Sequence, residues 1–181
     1  ITCAAAPGTA EATSSSGAAV SYDAATATDI GDDAVAITYS AASASTFAIG
    51  TTTVTATATD DSGNVSTCSF DVVVTDVNAP TITCAAALGT AEATSSSGAA
   101  VSYDAAAATD IGDDAVAITY SAASASTFAI GTTTVTATAT DESGNTSTCS
   151  FDVTVADTTS PTITCATAPG TAEATSPSGT A

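Results

Sequence analysis

The feature that most constrains this chain is a repeat of 81 residues. The tripeptide Ile-Thr-Cys recurs at this fixed spacing, starting at Ile1, Ile82 and Ile163. Residues 1–81 and 82–162 are identical at 72 aligned positions and differ at nine. A period of this length exceeds the roughly 20–50 residues of solenoid repeats and suits one small β-sandwich. We therefore predict one unit over 1–81, a second over 82–162, and the truncated start of a third over 163–181.

Within each unit, the side chains alternate with the period of a β-strand. Residues 54–59 read Val-Thr-Ala-Thr-Ala-Thr, which places Val and Ala on one face and Thr on the other. Residues 68–74 place Cys68, Phe70, Val72 and Val74 on a common face in the same way. Turn residues such as the Ser-Gly-Asn of 62–64 separate these runs. The pattern predicts an all-β chain with one β-sandwich in each repeat.

The charge of the chain has one sign. It contains 19 Asp and Glu residues and no Lys, Arg or His, which gives a formal net charge of −19. Nucleic-acid binding depends on basic side chains that neutralise phosphates, so no nucleic-acid partner is expected. No run approaches the 18 or so apolar residues that a membrane-spanning helix requires, so no membrane span is expected in this segment.

Five cysteines follow the repeat, and the spacing predicts how they pair. Cys3 and Cys68 are 65 residues apart, as are Cys84 and Cys149, while Cys165 has no later mate. Cysteines at a regular spacing in a secreted chain indicate a disulfide framework. Pairing within each unit is favoured. A Cys68–Cys84 bond is the alternative. It would cross the segment 76–80 that connects the two units, which we call the joint.

Carboxylates gather in the predicted loops and are candidates for a calcium site. Calcium takes about six to eight oxygen ligands, which loops at one end of a sandwich could supply. Tight turns also favour Asp, Gly and Asn, so turn formation is the simpler and favoured interpretation, and no cofactor is firmly expected. Asp76 lies in the joint, and its copy Asp157 lies in the equivalent segment 157–161. The calcium candidates are Asp29, Asp32, Asp33, Asp60 and Asp61, and in the second unit Asp110, Asp113, Asp114, Asp141 and Glu142.

Two sequons occupy the same place in each unit. Asn64-Val65-Ser66 and Asn145-Thr146-Ser147 both satisfy the acceptor pattern for N-glycosylation. Asn64 and Asn145 are therefore glycosylation candidates, although Asn also suits the predicted turn at this point.

Several ordered motifs together resemble the hyalin repeat (HYR) family of extracellular immunoglobulin-like modules. The most specific one runs over 139–155, from Ala-Thr-Asp-Glu-Ser-Gly-Asn to the Cys-Ser-Phe-Asp-Val strand. The resemblance implies tandem immunoglobulin-like β-sandwiches that work outside the cell or on its surface, in adhesion or as spacers. Two family positions differ here, because Ala85 and Ala129 stand where proline is usual. The other matching segments are 80–84, 93–95, 108–110 and 127–136.

These observations favour a structural role over binding or catalysis. A binding or catalytic unit should diverge in its loops, yet residues 29–33 and 110–114 are identical. Five of the nine differences fall in the last strand and the joint. We expect a segment of an extracellular filament, stalk or surface fibre, with copies of itself along the fibre, and possible glycans, as partners. The alternative is an extracellular adhesion module with calcium as its candidate ion; an enzyme is not expected.

Overall fold

The computed structural model of the protein describes residues 1–31, 35–84, 86, 88–113, 115–168 and 170–173. Strands and turns, with no helix, make up this part of the chain, which confirms the all-β prediction. The strands of the first unit are β1 (Ala10–Glu11), β2 (Ala18–Val20), β3 (Ala36–Tyr39), β4 (Ser45–Phe47), β5 (Gly50–Thr59) and β6 (Val65–Thr75). Those of the second are β7 (Thr81–Thr83), β8 (Ala91–Glu92), β9 (Ala99–Val101), β10 (Ala107–Thr109), β11 (Ala117–Tyr120), β12 (Ser126–Phe128), β13 (Gly131–Thr140) and β14 (Thr146–Ala156).

Each unit is built on one four-stranded sheet. Its order is β1-β6-β5-β3 in the first unit and β8-β14-β13-β11 in the second. The long hairpins β5–β6 and β13–β14 form its centre, and each short edge strand β1 or β8 runs parallel to its neighbour. The pairs β2–β4 and β9–β12 form the facing layer. In the second unit β7 also pairs with β10, where the first has the single bridge between Thr2 and Thr26.

The alternating strands bury one face between these two layers. Val54 and Val72 of the large sheet are fully buried, and they pack in one cluster with Val20 and Phe47 of the facing layer. The second unit repeats this core around Val135 and Phe128. Alanine, valine and aromatic side chains fill these cores, and Ala56 and Ala137 are also fully buried. The predicted inward faces of 54–59 and 68–74 are therefore confirmed, and each unit is a β-sandwich with its own core.

Two tyrosines in each unit link the loops that cover the core. Tyr22 donates a hydrogen bond from its hydroxyl to the carbonyl of Ala41, and its ring meets Phe70 edge-on with centroids 4.9 Å apart. The hydroxyl of Tyr39 accepts a hydrogen bond from the amide of Ala25 at 2.7 Å. Tyr103 and Tyr120 repeat this arrangement in the second unit.

Two disulfides close the units individually. Cys3 bonds to Cys68 and Cys84 bonds to Cys149, each with Cα atoms 5.7 Å apart. The predicted pairing within units is confirmed, and the alternative bond across the joint is excluded because both of its cysteines are already paired. Cys165 is free and exposed. The described residues between 163 and 173 form no strand, so the start of a third sandwich stays a prediction.

Candidate metal centre

Three aspartates meet where the two units join. Each directly follows a strand that ends in threonine: Asp76 follows β6, Asp110 follows β10, and Asp141 follows β13. One carboxylate oxygen from each lies within 4.8 Å of the other two. We call Asp76, Asp110 and Asp141 the joint cluster. Its first member comes from the end of the first unit and the other two from loops of the second.

The joint cluster is largely shielded from water. Asp76 is 7% exposed and Asp141 is 6% exposed, while Asp110 is half-buried. Apart from these two, the buried side chains of the described part of the chain are apolar. Burying a carboxylate is costly unless hydrogen bonds or an opposite charge compensate for the lost water.

Two of the three carboxylates accept hydrogen bonds from the loops of the second unit. Asp110 accepts one through Oδ2 from the backbone amide of Gly112, at 2.8 Å. Asp141 accepts two from Asn145, from the backbone amide to Oδ1 at 2.8 Å and from the side chain to Oδ2 at 2.9 Å. Burial acts to raise the pKa of Asp141, but the bonds from Asn145 and from the amides of Gly144 and Ser143 outweigh it and hold that pKa below its ordinary value.

The third carboxylate is only half satisfied. Oδ1 of Asp76 accepts a hydrogen bond from the amide of Asn78 at 3.2 Å. Its Oδ2 is buried and has no hydrogen-bond partner, the one such side-chain atom in the described part of the chain. Gly112 packs directly against this carboxylate, because a Cβ built on Gly112 would lie 2.5 Å from Cγ and from Oδ2 of Asp76.

Polar contacts hold the two units together around the cluster. The side-chain amide of Asn145 donates to the carbonyl of Asp76 at 3.1 Å as well as to Asp141. The hydroxyl of Ser147 donates to the carbonyl of Pro80 in the joint. A surface cleft beside the cluster is lined from both sides, by Ile49 of the first unit and Glu142 of the second among others. The joint is thus a contact between the two sandwiches.

Two further calcium candidates of the second unit, Asp113 and Glu142, lie next to the cluster. Asp113 accepts hydrogen bonds from the amides of Ala115 and Glu142, both at 2.9 Å, so it connects the loop after β10 with the loop after β13. Glu142 is exposed. Asp114 lies outside the described residues.

The first unit carries the same loops without the third aspartate. Asp60 forms the same turn with Asn64, whose side-chain and backbone hydrogen bonds lower the pKa of Asp60. Asp29 accepts a bond from the amide of Gly31 at 3.0 Å and is exposed. Asp61 follows Asp60 in the same turn and is exposed. Asp32 and Asp33 lie outside the described residues.

The predicted calcium candidates therefore separate into groups. Asp110 and Asp141 come together, whereas Asp113 accepts backbone hydrogen bonds that connect two loops and Glu142 is exposed. Asp76 is not among the predicted calcium candidates, because it lies 34 residues from Asp110 and belongs to the other unit. All three aspartates directly follow the threonine that ends a strand, but this shared local feature does not indicate that they meet.

Two glutamates for which the sequence predicts no role accept hydrogen bonds from the segment that follows the last strand of each unit. Glu11, at the end of β1, accepts hydrogen bonds from the amide of Val77 and the side chain of Asn78, both at 2.9 Å. Glu92, at the end of β8, accepts bonds from the backbone and hydroxyl groups of Thr158 and Thr159. The side-chain bonds from Thr158 and Thr159 are the main reason why the pKa of Glu92 lies below its ordinary value.

The two sequons differ in their surroundings. Asn64 is exposed and donates from its side chain to Asp60 at 2.8 Å. Asn145 is half-buried, and its side-chain nitrogen already donates to both units at the joint. A glycan on that nitrogen would replace one of its hydrogens, so the geometry is more open to modification at Asn64. Glycosylation at either position stays a prediction.

No helix in the described part of the chain is long and apolar enough to cross a membrane.

Comparison with solved structures gives distant similarities. The fibronectin(III)-like modules of Clostridium thermocellum CbhA match at 14% identity with a TM-score of 0.37, over 84% of this chain and 90% of theirs. The protocadherin gammaB7 EC3-6 cis-dimer structure matches at 18% identity with a TM-score of 0.31, over 67% of this chain and 41% of its own.

Comparison of sequences gives a nearer relative and a family. Hyalin of Strongylocentrotus purpuratus is 37% identical over 134 residues, which cover 72% of this chain and 11% of hyalin. The chain thus spans about a tenth of the length of that relative. The HYR domain family matches twice, over residues 1–74 and 75–155, with each match containing most of one sandwich. The chain belongs to the HYR domain family.

Proposed function

We propose that this chain is a non-catalytic structural segment of an extracellular filament, stalk or surface fibre. The observation that carries the proposal is the joint, where Asn145 and Ser147 of the second unit donate hydrogen bonds to the backbone of the preceding segment. Successive sandwiches in contact form a stiffer thread than sandwiches on free linkers. Near-identity of the two units supports the same role, because a scaffold of repeated sandwiches requires no divergence between its copies.

An extracellular or cell-surface location is supported by the disulfides. Cys3–Cys68 and Cys84–Cys149 each close a loop of 65 residues, and such bonds persist in oxidising compartments. The similarity to hyalin supports an adhesion-type module in the same setting. The partners proposed are further copies of the repeat along a fibre.

Electron microscopy of the native material tests this proposal. Strands of up to 11 residues, at about 3.3 Å per residue, make each sandwich on the order of 40 Å long with its loops. Beads of equal spacing, about 40 Å apart along an unbranched thread, are expected. A monodisperse globular particle of 17.0 kDa in the native material would contradict the proposal.

A second candidate function, an adhesion module that binds a partner protein or glycan, is favoured by exposed apolar side chains. Ile49 is 39% exposed, and its copy Ile130 is 50% exposed, at the same place in both units. Beads coated with the 181-residue chain should bind cell-surface extracts less well after I49T/I130T substitution if these side chains contact a partner. Equal binding by both forms would remove the support for this role.

A further inference from the structure

We propose that the joint cluster of Asp76, Asp110 and Asp141 binds one divalent cation of the calcium class between the two units. This inference concerns the joint itself and does not depend on whether the chain forms fibres or binds partners. It rests on an unpartnered buried oxygen, on the charge of the whole chain, on the spacing of the ligands and on a comparison between the two units.

The unpartnered oxygen is Oδ2 of Asp76. It is buried, without a hydrogen bond, in a side chain that is 7% exposed and lies against the carboxylates of Asp110 and Asp141. A buried carboxylate whose side chain lies among two further carboxylates, with one oxygen unpartnered, is strongly destabilised unless a positive charge lies among them. This oxygen therefore points to a ligand, whereas the hydrogen bonds of Asp110 and Asp141 would also suit plain turns.

No side chain of the protein can supply the positive charge. The sequence contains no Lys, Arg or His, so no side chain can form an ion pair with any of the three aspartates. Buried charges in proteins are paired with opposite charges or coordinate metals. A bound cation is the remaining partner of opposite charge.

The spacing of the ligands fits calcium. Ca²⁺ binds oxygen at about 2.3–2.6 Å, so two ligands of one ion lie up to about 5 Å apart, and the three oxygens lie within 4.8 Å of one another. Mg²⁺ requires shorter bonds of about 2.0–2.1 Å and strict octahedral geometry. Zn²⁺ prefers nitrogen and sulfur ligands, which this cluster lacks. Three carboxylates provide three to six oxygens, and water can complete the coordination.

The first unit shows that the joint creates the site. Asp29 and Asp60 are the copies of Asp110 and Asp141 and make the same turn hydrogen bonds, yet Asp29 is exposed and Asp60 is half-buried. The third carboxylate and the burial arise only where Asp76 reaches the second unit. Each joint between two such units would therefore hold one ion.

Gly112 provides the space for this approach. Its missing side chain lets the carboxylate of Asp76 lie where a Cβ would stand, at 2.5 Å from Cγ. The equivalent Gly31 has no such neighbour, since a Cβ there would meet only Oδ2 of Asp29, at 3.6 Å.

Isothermal titration of the chelator-treated 181-residue chain with CaCl₂ tests the proposal, with the D76N variant as the main comparison. The D76N side chain keeps an oxygen that can accept the hydrogen bond from the amide of Asn78, and it removes only the charge. The matched control is D157N. Asp157 accepts the same turn hydrogen bond, from the amide of Thr159 at 3.2 Å, but it is exposed and belongs to no carboxylate cluster in the described part of the chain. Wild type and D157N should bind one Ca²⁺ tightly, and D76N should bind it about tenfold or more weakly because a charged ligand is lost.

Thermal unfolding provides a second readout that also shows whether D76N is folded. Calcium should raise the melting temperature of wild type and D157N but not that of D76N, because a ligand stabilises only a state that binds it. In excess EDTA the order should change, with D76N at least as stable as wild type because it lacks one repelling charge. Saturating Mg²⁺ should give a smaller shift than Ca²⁺.

Two outcomes would overturn the proposal. One is no saturable binding of Ca²⁺ by wild type at one ion per chain. The other is equal affinity in D76N and D157N, which would place any bound ion outside the joint. Neither result would bear on the fibre proposal, which depends on imaging of the native material.

Discussion

At the scale of single residues, identical side chains do different work in the two units. Asp60 and Asp141 make the same turn with an asparagine four residues later. Only Asp141 is buried, because only it is covered by the preceding unit. Local sequence therefore specifies the turn, and the neighbouring sandwich specifies the environment of its carboxylate.

Substitution of Gly112 by alanine is expected to destabilise the joint. The new Cβ would lie 2.5 Å from the Asp76 carboxylate carbon, so that side chain must move out of its buried position. Overpacking of this kind costs about 1–3 kcal/mol. Urea unfolding of G112A should show the loss. G31A is the matched control and should unfold near the wild-type midpoint, since its Cβ makes ordinary contact. Equal effects of the two substitutions would show that Gly112 is not packed against Asp76.

At the scale of secondary-structure elements, the short edge strands are more important than their two-residue length suggests. β1 and β8 pair in parallel with the ends of β6 and β14. Their last residues, Glu11 and Glu92, then accept hydrogen bonds from the segment that leaves the unit. The edge strand thus sets the direction in which the chain enters the next joint.

The T158V/T159V variant should raise the pKa of Glu92 towards its ordinary value. Both hydroxyl donors are lost, while the backbone amides of these residues remain. A carboxylate with a lowered folded-state pKa contributes stability that is present above its unfolded pKa, about 4.3. That stability is lost as the pH falls through the folded pKa. An NMR titration of the Glu92 carboxyl carbon measures the change. An identical titration curve in the variant would contradict the role given to the threonine hydroxyls.

At the scale of the whole molecule, covalent bonds act within the units and weaker contacts act between them. Each disulfide spans 65 residues of one sandwich, and each sandwich has its own apolar cluster. The joint is held by hydrogen bonds, and the joint cluster lies at the same contact. Units of this kind should fold individually and be coupled at their contact.

Removal of one disulfide should therefore destabilise one unit much more than the other. The C3S/C68S variant should lose about 4 kcal/mol in the first unit, because the bond closes a loop of 65 residues in the unfolded chain. Hydrogen exchange measured by mass spectrometry can follow the two units through peptides that contain differing residues. C84S/C149S should give the reverse pattern, and C165S should leave both units unchanged. Equal loss of protection in both units of C3S/C68S would show that they unfold together.

Much of the fold can be predicted from short-range patterns in the sequence. The alternation in 54–59 and 68–74 predicts which side chains are buried, because successive residues of a strand point to opposite faces. The equal spacing of 65 residues favours the observed disulfides over a bond across the joint. The predicted unit boundaries at 81 and 162 follow from the period alone and stay a prediction.

The sequence by itself thus determined the repeat, the strands, the buried faces and the favoured pairing of cysteines, because each depends on periodicity along one chain. The tertiary structure alone decided which carboxylates meet. Asp76 joins Asp110 and Asp141 because the ends of β6, β10 and β13 converge at the contact between two sandwiches. Residues 34 and 65 positions away from Asp76 carry no local signal of that contact. Their burial and the unpartnered oxygen arise only when one unit packs against the next.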